Sequence, residues 1–272
     1  MNPGRLAKHS TLWLITLASL VPVYTMVSAS LRTQKAFLDS PLGLPTSPTL
    51  HGYRAALSDS FPRWLANSLL LTVASVVVTL ALATLAAWGL SRWEFRFRDT
   101  LLSAIVALMV VPPVVLVVPL FLLGVELDLI NTFWLVIAIY VGLMLPFSIY
   151  LLTSYFRTLP VSLFEAAIVD GASSFGVFRR IALPLSAAPL ITLAVVNVLW
   201  VWNELLIALV FLQSDDSRTL MAGLTAFQNR YNLDIPVVMA GLSLATLPIV
   251  GLYLIGQRWF LRGLVAGAVK GE

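Results

Sequence analysis

The residues of this chain that are equipped for chemistry fall in two places. One is Glu204, a carboxylate inside an otherwise apolar run, with Asn203 beside it and Trp200 and Trp202 close by. A carboxylate and an amide can hydrogen-bond a polar solute, and indole faces can stack on a sugar ring. The other is Glu165-Ala166-Ala167-Ile168-Val169-Asp170-Gly171, followed by Ile181 and Leu183-Pro184. Its acidic and small side chains suit docking more than bond breaking. Covalent catalysis finds no footing. The chain has no cysteine, which excludes disulfides, thiolate metal sites and thiol nucleophiles. The two histidines, His9 and His51, flank the first apolar run on opposite sides and cannot share a metal. No Gly-x-x-x-x-Gly-Lys-Ser/Thr phosphate loop is present, and the tail Gly267-Ala268-Val269-Lys270-Gly271 has the wrong spacing for one. The chain is therefore expected to hydrolyse no ATP itself, to hold no metal or cofactor, and to contain no catalytic residue.

The elements that position these residues follow from composition. Of 272 residues, 59% are hydrophobic and 11% charged, with a mean hydropathy of +0.93. Soluble domains carry roughly a quarter charged residues. A bilayer span needs about 20 mostly apolar residues. An all-α, polytopic membrane protein is the expectation, with helices near 10–31, 66–90, 100–124, 131–154, 186–212 and 236–258. The first apolar run, Leu12–Ala29, follows Arg5 and Lys8 and resembles a secretory signal. Five further apolar runs favour a retained span. Between the first two spans, Asp39 to Gly52 is rich in turn formers and reads as an extended polar loop, with a short helix at Tyr53–Leu57.

Charge placement gives orientation. The N-terminus, the 91–99 loop, the 155–185 loop and the tail hold eleven Lys and Arg residues, and the opposite side holds six. The positive-inside rule then places both termini in the cytoplasm, and an even number of spans agrees with both lying on one side. With no aromatic-basic clusters, the net charge of +4 serves this topology and gives no reason to expect nucleic acid as a partner. Proline falls within several spans, at Pro22, Pro112, Pro113, Pro119, Pro146 and Pro248. Each disturbs its helix, and such helices either kink for packing or line a cavity. Pro112 and Pro113 are candidates for the lining role.

The 155–185 loop reads as helix, turn, helix outside the bilayer. Pro160 ends the preceding span, and Ser162 with Glu165 fits a capping box. Leu163, Phe164, Ala167 and Ile168 give the first helix an apolar face. Gly171 is suited to a left-handed stop, and Ser173 or Ser174 can start the second helix. Pro184 breaks that helix before the fifth span. Apolar side chains offered to the cytoplasm suggest a protein partner.

At these residues the chain resembles the permeases of ABC importers. Their signature is Glu-Ala-Ala, three residues, Gly, nine residues, Ile, one residue, Leu-Pro. Glu165, Ala166, Ala167, Gly171, Ile181, Leu183 and Pro184 fit it at every position. The resemblance implies that the loop, Asp170 included, is a coupling helix seated in an ATPase cleft. For Glu165, capping and docking are both open readings. The similarity extends over nearly the whole chain and narrows to the shorter, six-helix partner of maltose-type carbohydrate permeases. It is carried by Asn67-Ser68, by Ala87-Trp88-Gly89-Leu90-Ser91-Arg92, by the double proline with Pro119, by Trp202-Asn203-Glu204 and by Gly263 to Gly271. Val265 stands where the family more often has Thr or Ser.

This implies uptake of a sugar or oligosaccharide across the bacterial plasma (inner) membrane. The expected partners are a second homologous permease, two ATPase subunits and an extracytoplasmic solute-binding protein. The implied organisation is an N-terminal helix and loop at 1–65, a permease core at 66–260 and a cytoplasmic tail at 261–272. Glycerol phosphate, a polyamine or a peptide-like solute is the alternative cargo. A secondary carrier driven by an ion gradient is the alternative class, but such carriers usually have several intramembrane ionisable groups. Two readings of Glu204 stand, pathway lining or a bond to a neighbouring helix. The outward loops 32–65 and 213–235, with Tyr53, Trp64, Phe227 and Tyr231, are either docking surface or ordinary solvated loop.

Overall fold

Backbone polar groups cannot face lipid unpaired, so apolar spans become helices or closed barrels. This chain uses helices, and its computed structural model describes residues 3–57, 60–226, 228–229 and 232–268. In chain order the first helices are α1 (Pro3–Ser30), α2 (Gln34–Asp39), α3 (His51–Ala56) and α4 (Phe61–Arg92). Next come α5 (Arg98–Ala107), α6 (Pro113–Glu126), α7 (Phe133–Arg157), α8 (Val161–Val169), α9 (Ser174–Val177) and α10 (Leu183–Leu185). The last are α11 (Ala187–Asn203), α12 (Leu206–Phe211), α13 (Leu220–Ala226) and α14 (Ile235–Ala268). A two-residue ribbon pairs Gln228 with Leu233 and Asn229 with Asn232, a detail that the helical reading did not contain.

Among the described residues, four single helices hold membrane-length apolar segments, Lys8–Ser30, Phe61–Arg92, Phe133–Arg157 and Ile235–Leu254. Two bent pairs raise the number to six when each is taken as one span. Two expected helices need correction. The one at 100–124 is α5, a 3₁₀ turn at Leu108–Val110, and α6, bent by 95°. Proline disfavours helical geometry in the residue before it, and Val111 is extended at φ −75° and ψ 115°. Pro112 follows in an extended conformation, and Pro113 then takes the first turn of α6, where its missing N–H costs nothing. The helix expected at 186–212 stops at Asn203, and α12 begins only at Leu206. The last helix runs on past the expected end at 258. Residues 269–272, the end of the proposed tail, lie outside the described residues, as do Phe227, Arg230 and Tyr231.

The chain forms two compact units. One comprises residues 66–219 and 251–272. Its central element is α7, whose sequence is apolar almost throughout and which buries residues along its whole length. The first half of α7 supplies Leu135, Val136, Ile139, Tyr140 and Met144 to a cluster with Leu71, Val201, Ile207 and Phe211. Its second half supplies Ile149, Leu152 and Phe156 to a cluster with Trp88, Phe164 and Phe178. Small residues on the buried side of α4, Ser75, Thr79, Ala83 and Ala87, suit the close backbone approach that membrane helices favour.

The other unit comprises residues 1–65 and 220–250. Here the 32–50 segment contains a helix that the turn-rich sequence did not announce. Thr33 caps α2 by accepting from the Ala36 N–H at 3.3 Å. Arg32 is buried and ties the segment down from within, donating to the carbonyls of Ser40 at 2.8 Å, Gly43 at 3.2 Å and Ala36. The short helix expected at Tyr53–Leu57 is α3, which starts earlier, at His51. Its Ala56 packs with Val237 and Ala240 of α14. On α13, a Cβ at Gly223 would lie 2.2 Å from the Trp64 ring, so only glycine allows the indole to lie on that backbone.

Candidate functional site

The helix-turn-helix of residues 160–186 lies within the unit of residues 66–219 and 251–272, and its local geometry follows from a handful of residues. Pro160 is the N-cap of α8 and blocks any continuation of α7. The capping box expected from Ser162 and Glu165 is not formed, because the helix starts at Val161 and Ser162 is already inside its first turn. The stop is a Schellman motif. The Gly171 N–H donates to Ile168 O at 2.9 Å and the Ala172 N–H to Ala167 O at 2.9 Å, with Gly171 at φ +83°. Ser173, not Ser174, starts the second helix, its hydroxyl accepting from the Gly176 N–H at 3.1 Å.

Pro184 does not break that helix where the sequence suggested. Its ring would meet the carbonyl of Arg180 in a regular helix. The chain widens instead into a π turn over Phe178–Ala182, with the Leu183 N–H reaching back to Phe178 O. The break comes at Ser186, where the segment Ser174–Leu185 and α11 meet at 71°. π turns inside helices are frequent at functional sites.

The expected apolar face of α8 divides in two. Phe164 and Ala167 turn inward onto the Trp88 cluster, as do Ile181 and Leu183. Leu163 and Ile168 face away, with Val161, Val169 and Phe175. Val169 is 86% exposed and Phe175 64%. Glu165, Ala166, Asp170, Gly171 and Pro184 are also exposed. Glu165 makes no side-chain hydrogen bond among the described residues, so the capping reading has no support and the carboxylate is free to meet a partner.

What holds the inner face is a set of residues that the sequence reading did not assign a role. Trp88 packs against Phe156, Phe164 and Phe178 at ring separations of 5.7, 5.4 and 5.7 Å. Arg92, one turn on along α4, donates to Phe156 O at 2.6 Å and Leu159 O at 3.2 Å. Those carbonyls lie at the C-terminal end of α7 and just past it, where a cation is electrostatically favoured. The guanidinium also sits 4.0 Å from the centre of the Phe164 ring and 5.5 Å from that of Trp88. The signal was present in the sequence as Trp88 and Arg92 at helical spacing of four.

The second candidate group is dispersed. Glu204 sits at the break between α11 and α12, half-buried. Its Oε1 accepts from the Ile207 N–H at 2.8 Å, and its Oε2 accepts from Ala208 N–H at 3.1 Å and Tyr140 O–H at 2.7 Å. It therefore satisfies the first turn of α12 and links it to α7. Trp202 is buried, and Trp200 packs edge-on against Tyr140 at 5.6 Å. Asn203 is exposed and donates to Leu199 O at 2.7 Å. Pro112 and Pro113 are exposed at the start of α6, and α6 reaches α12 through Phe121 on Phe211.

Residues 79–265 match the family of binding-protein-dependent transport system inner membrane components. A putative ABC transporter permease protein, ORF2, from Caldicellulosiruptor sp. (strain Rt8B.4) is 39% identical over 257 residues, covering 94% of each chain. The trehalose/maltose transport system permease MalG of Thermococcus litoralis is 36% identical, covering 95% of this chain and 94% of its own. The trehalose transport system permease SugB of Mycobacterium tuberculosis is 32% identical over 97% of this chain and 99% of its own. Among solved structures, a bacterial ABC transporter that imports alginate superposes with a TM-score of 0.81 at 24% identity, covering 94% and 95% of the two chains. That likeness shows the shared fold.

Proposed function

This chain belongs to the family of binding-protein-dependent transport system inner membrane components, as a multi-pass permease subunit of an ABC importer, and we propose that its cargo is a sugar or oligosaccharide. Family membership replaces the ion-gradient carrier as a reading. The carbohydrate cargo is supported by relatives named for trehalose, maltose, melibiose and arabinooligosaccharide transport, all aligned over nearly the full chain. The partners are a second homologous permease, two ATPase subunits, which carry out the hydrolysis, and an extracytoplasmic solute-binding protein. Both termini and the 155–185 loop face the cytoplasm. Residues 66–260 form the permease core, with 1–65 as an added helix and outer loop and 261–272 as the tail.

The observation that carries the coupling role is the two-sided build of the 160–186 loop. One side is locked into the bundle by Phe164, Val177, Phe178 and Ala182. The other presents Val161, Leu163, Ile168, Val169 and Phe175 around the unpaired carboxylate of Glu165. Isolated exposed apolar residues are ordinary, but a cluster of this kind marks a partner surface. An ATPase cleft with an amide or cation for Glu165 fits it. Closure of the ATPase dimer then moves the loop as a body, and the spans pass between inward- and outward-open states by differential stability of the two. Glu165, Ala166, Asp170 and Gly171 form the outer contact, while Ala167, Ile181 and Leu183 transmit, with Pro184 setting the π turn between them. Asn203, Pro112 and Pro113 are exposed in the single subunit and remain candidates for lining the pathway. Glu204, Trp200 and Trp202 support that lining from behind.

The test is uptake into proteoliposomes by the assembled importer with its cognate binding protein and internal ATP. Accumulation of labelled trehalose or a malto-oligosaccharide is expected. ATP-dependent uptake of glycerol phosphate or a polyamine, with no sugar transported, would overturn the cargo assignment.

A further inference from the structure

We propose that Arg92 is the positioning residue that spreads the movement of the coupling loop onto two membrane helices. The inference rests on the coupling role proposed above for the loop.

The covalent paths from α8 into the membrane lead to two helices and not to α4. One runs through Thr158, Leu159 and Pro160 into α7, the other through α9 and α10 into α11. No direct chain segment joins α8 to the C-terminal end of α4, which it meets through the packing of Phe164 on Trp88. Arg92 adds a polar connection to that contact. It is the last residue of α4, its guanidinium is bonded to the carbonyls of Phe156 and Leu159, and the Phe164 ring covers its face at 4.0 Å. One planar group thus touches the ends of α4 and α7 and the inward side chain of α8. Phe164 is 5% exposed and has Trp88 on its other flank at 5.4 Å, so it cannot shift without displacing the guanidinium or the indole.

The chemistry of the position favours arginine specifically. Two carbonyls are reached from one terminal nitrogen while the flat face stacks on a ring, and a lysine ammonium cannot do both. Among the described residues the Nε of Arg92 is buried without an acceptor, and the group is held by the two carbonyls and the two rings. Its hold is therefore directional, and a push on Phe164 is passed to both helix ends. Without it, α7 would move with the loop and α4 would lag, and ATP turnover would continue with less solute carried per cycle.

The test uses the full importer in proteoliposomes, with three variants, Arg92→Gln, Arg92→Lys and Phe164→Leu, and measures solute transported per ATP hydrolysed. A role in stability alone would lower yield or thermal midpoint and leave that ratio unchanged. The expected result is a ratio reduced about tenfold in Arg92→Gln, the equivalent of about 1.4 kcal/mol. Smaller reductions are expected in Arg92→Lys, which keeps the charge and one carbonyl, and in Phe164→Leu, which keeps both carbonyl bonds and most of the buried volume. If Arg92→Gln does not assemble, the other two decide. A control, Val169→Asp on the outer edge, reads the parent proposal separately. If Val169→Asp strips the ATPase subunits while the Arg92 and Phe164 variants keep the wild-type ratio, the Arg92 inference fails and the coupling role stands. If Val169→Asp retains the ATPase subunits with normal stimulated hydrolysis, the coupling role itself fails and the Arg92 inference fails with it.

Discussion

The Tyr140 hydroxyl donates to Oε2 of Glu204 at 2.7 Å, joining the first half of α7 to the break between α11 and α12. The same carboxylate receives the N–H groups of Ile207 and Ala208. A helix that starts in an apolar setting leaves N–H donors that need partners, and Glu204 supplies the acceptors. Its three bonds make it a junction between helices more than a solute ligand.

Tyr140→Phe should therefore be mild. Interhelical hydrogen bonds in membranes average about 0.6 kcal/mol, and two of the three bonds to Glu204 remain. Glu204→Ala removes all three and should cost about 2 kcal/mol or more. Glu204→Gln has one acceptor oxygen where the carboxylate used two, and should fall between them. Thermal unfolding of the detergent-solubilised complex ranks the three. A Glu204→Ala protein as stable as the parent but defective in transport would point instead to direct solute contact.

The coupling loop gives a second prediction. An added Cβ at Gly171 would find no atom within 4 Å, so the position is restricted by its φ of +83° alone. Gly171→Asn should be tolerated, Gly171→Ala should cost about 1–2 kcal/mol, and the β-branched Gly171→Val more still. Glu165→Ala should remove a charge-assisted bond worth about 1.5–3 kcal/mol, weakening ATPase attachment about tenfold or more. Co-purification of the ATPase subunits and hydrolysis stimulated by loaded binding protein read both. Normal values in Glu165→Ala and Gly171→Val together would leave the loop without a coupling role.

Orientation is testable in the cysteine-free background. Ser174 is exposed on α9 and, unlike Ser173, is not the cap. Leu42 is exposed in the segment between α2 and α3. In intact cells Leu42→Cys should react with an impermeant maleimide and Ser174→Cys should not. The reverse pattern would invert the topology.

Asn131 anchors the turn before α7. Its Oδ1 accepts from the N–H groups of Gln213 at 2.6 Å and Ser214 at 2.9 Å, and its own N–H donates to Phe211 O at 2.9 Å. The backbone is left-handed at φ 64°. Asn131→Asp keeps the acceptor and a residue tolerant of that conformation. Asn131→Gly keeps only the conformation, and should lower stability by about 1–3 kcal/mol. Equal melting temperatures for the two variants would show that the side-chain bonds contribute nothing.

Much was legible in the sequence, for a physical reason. Lipid requires every backbone group of a span to bond within the span, so apolar length alone determined the all-α class and the six apolar segments. Local rules likewise governed single turns. Glycine enters the left-handed region most cheaply, which is why Gly171 announced the end of α8, and proline disfavours continuing a helix, which is why Pro160 announced the end of α7. The seven spaced residues of the loop pointed to its place in an importer because motif positions are a property of the chain, independent of packing. Other features depended on neighbours distant in sequence. Whether Glu204 faces a solute or a helix end turned on Tyr140, 64 residues away. Which apolar side of α8 faces inward turned on Trp88 and Arg92, because both sides are hydrophobic and periodicity cannot rank them. The break at Ser186 in place of Pro184 arose from the π turn, a backbone adjustment that the tertiary structure sets. Side chains carry their own propensities, but which partner each one meets is decided when the helices pack.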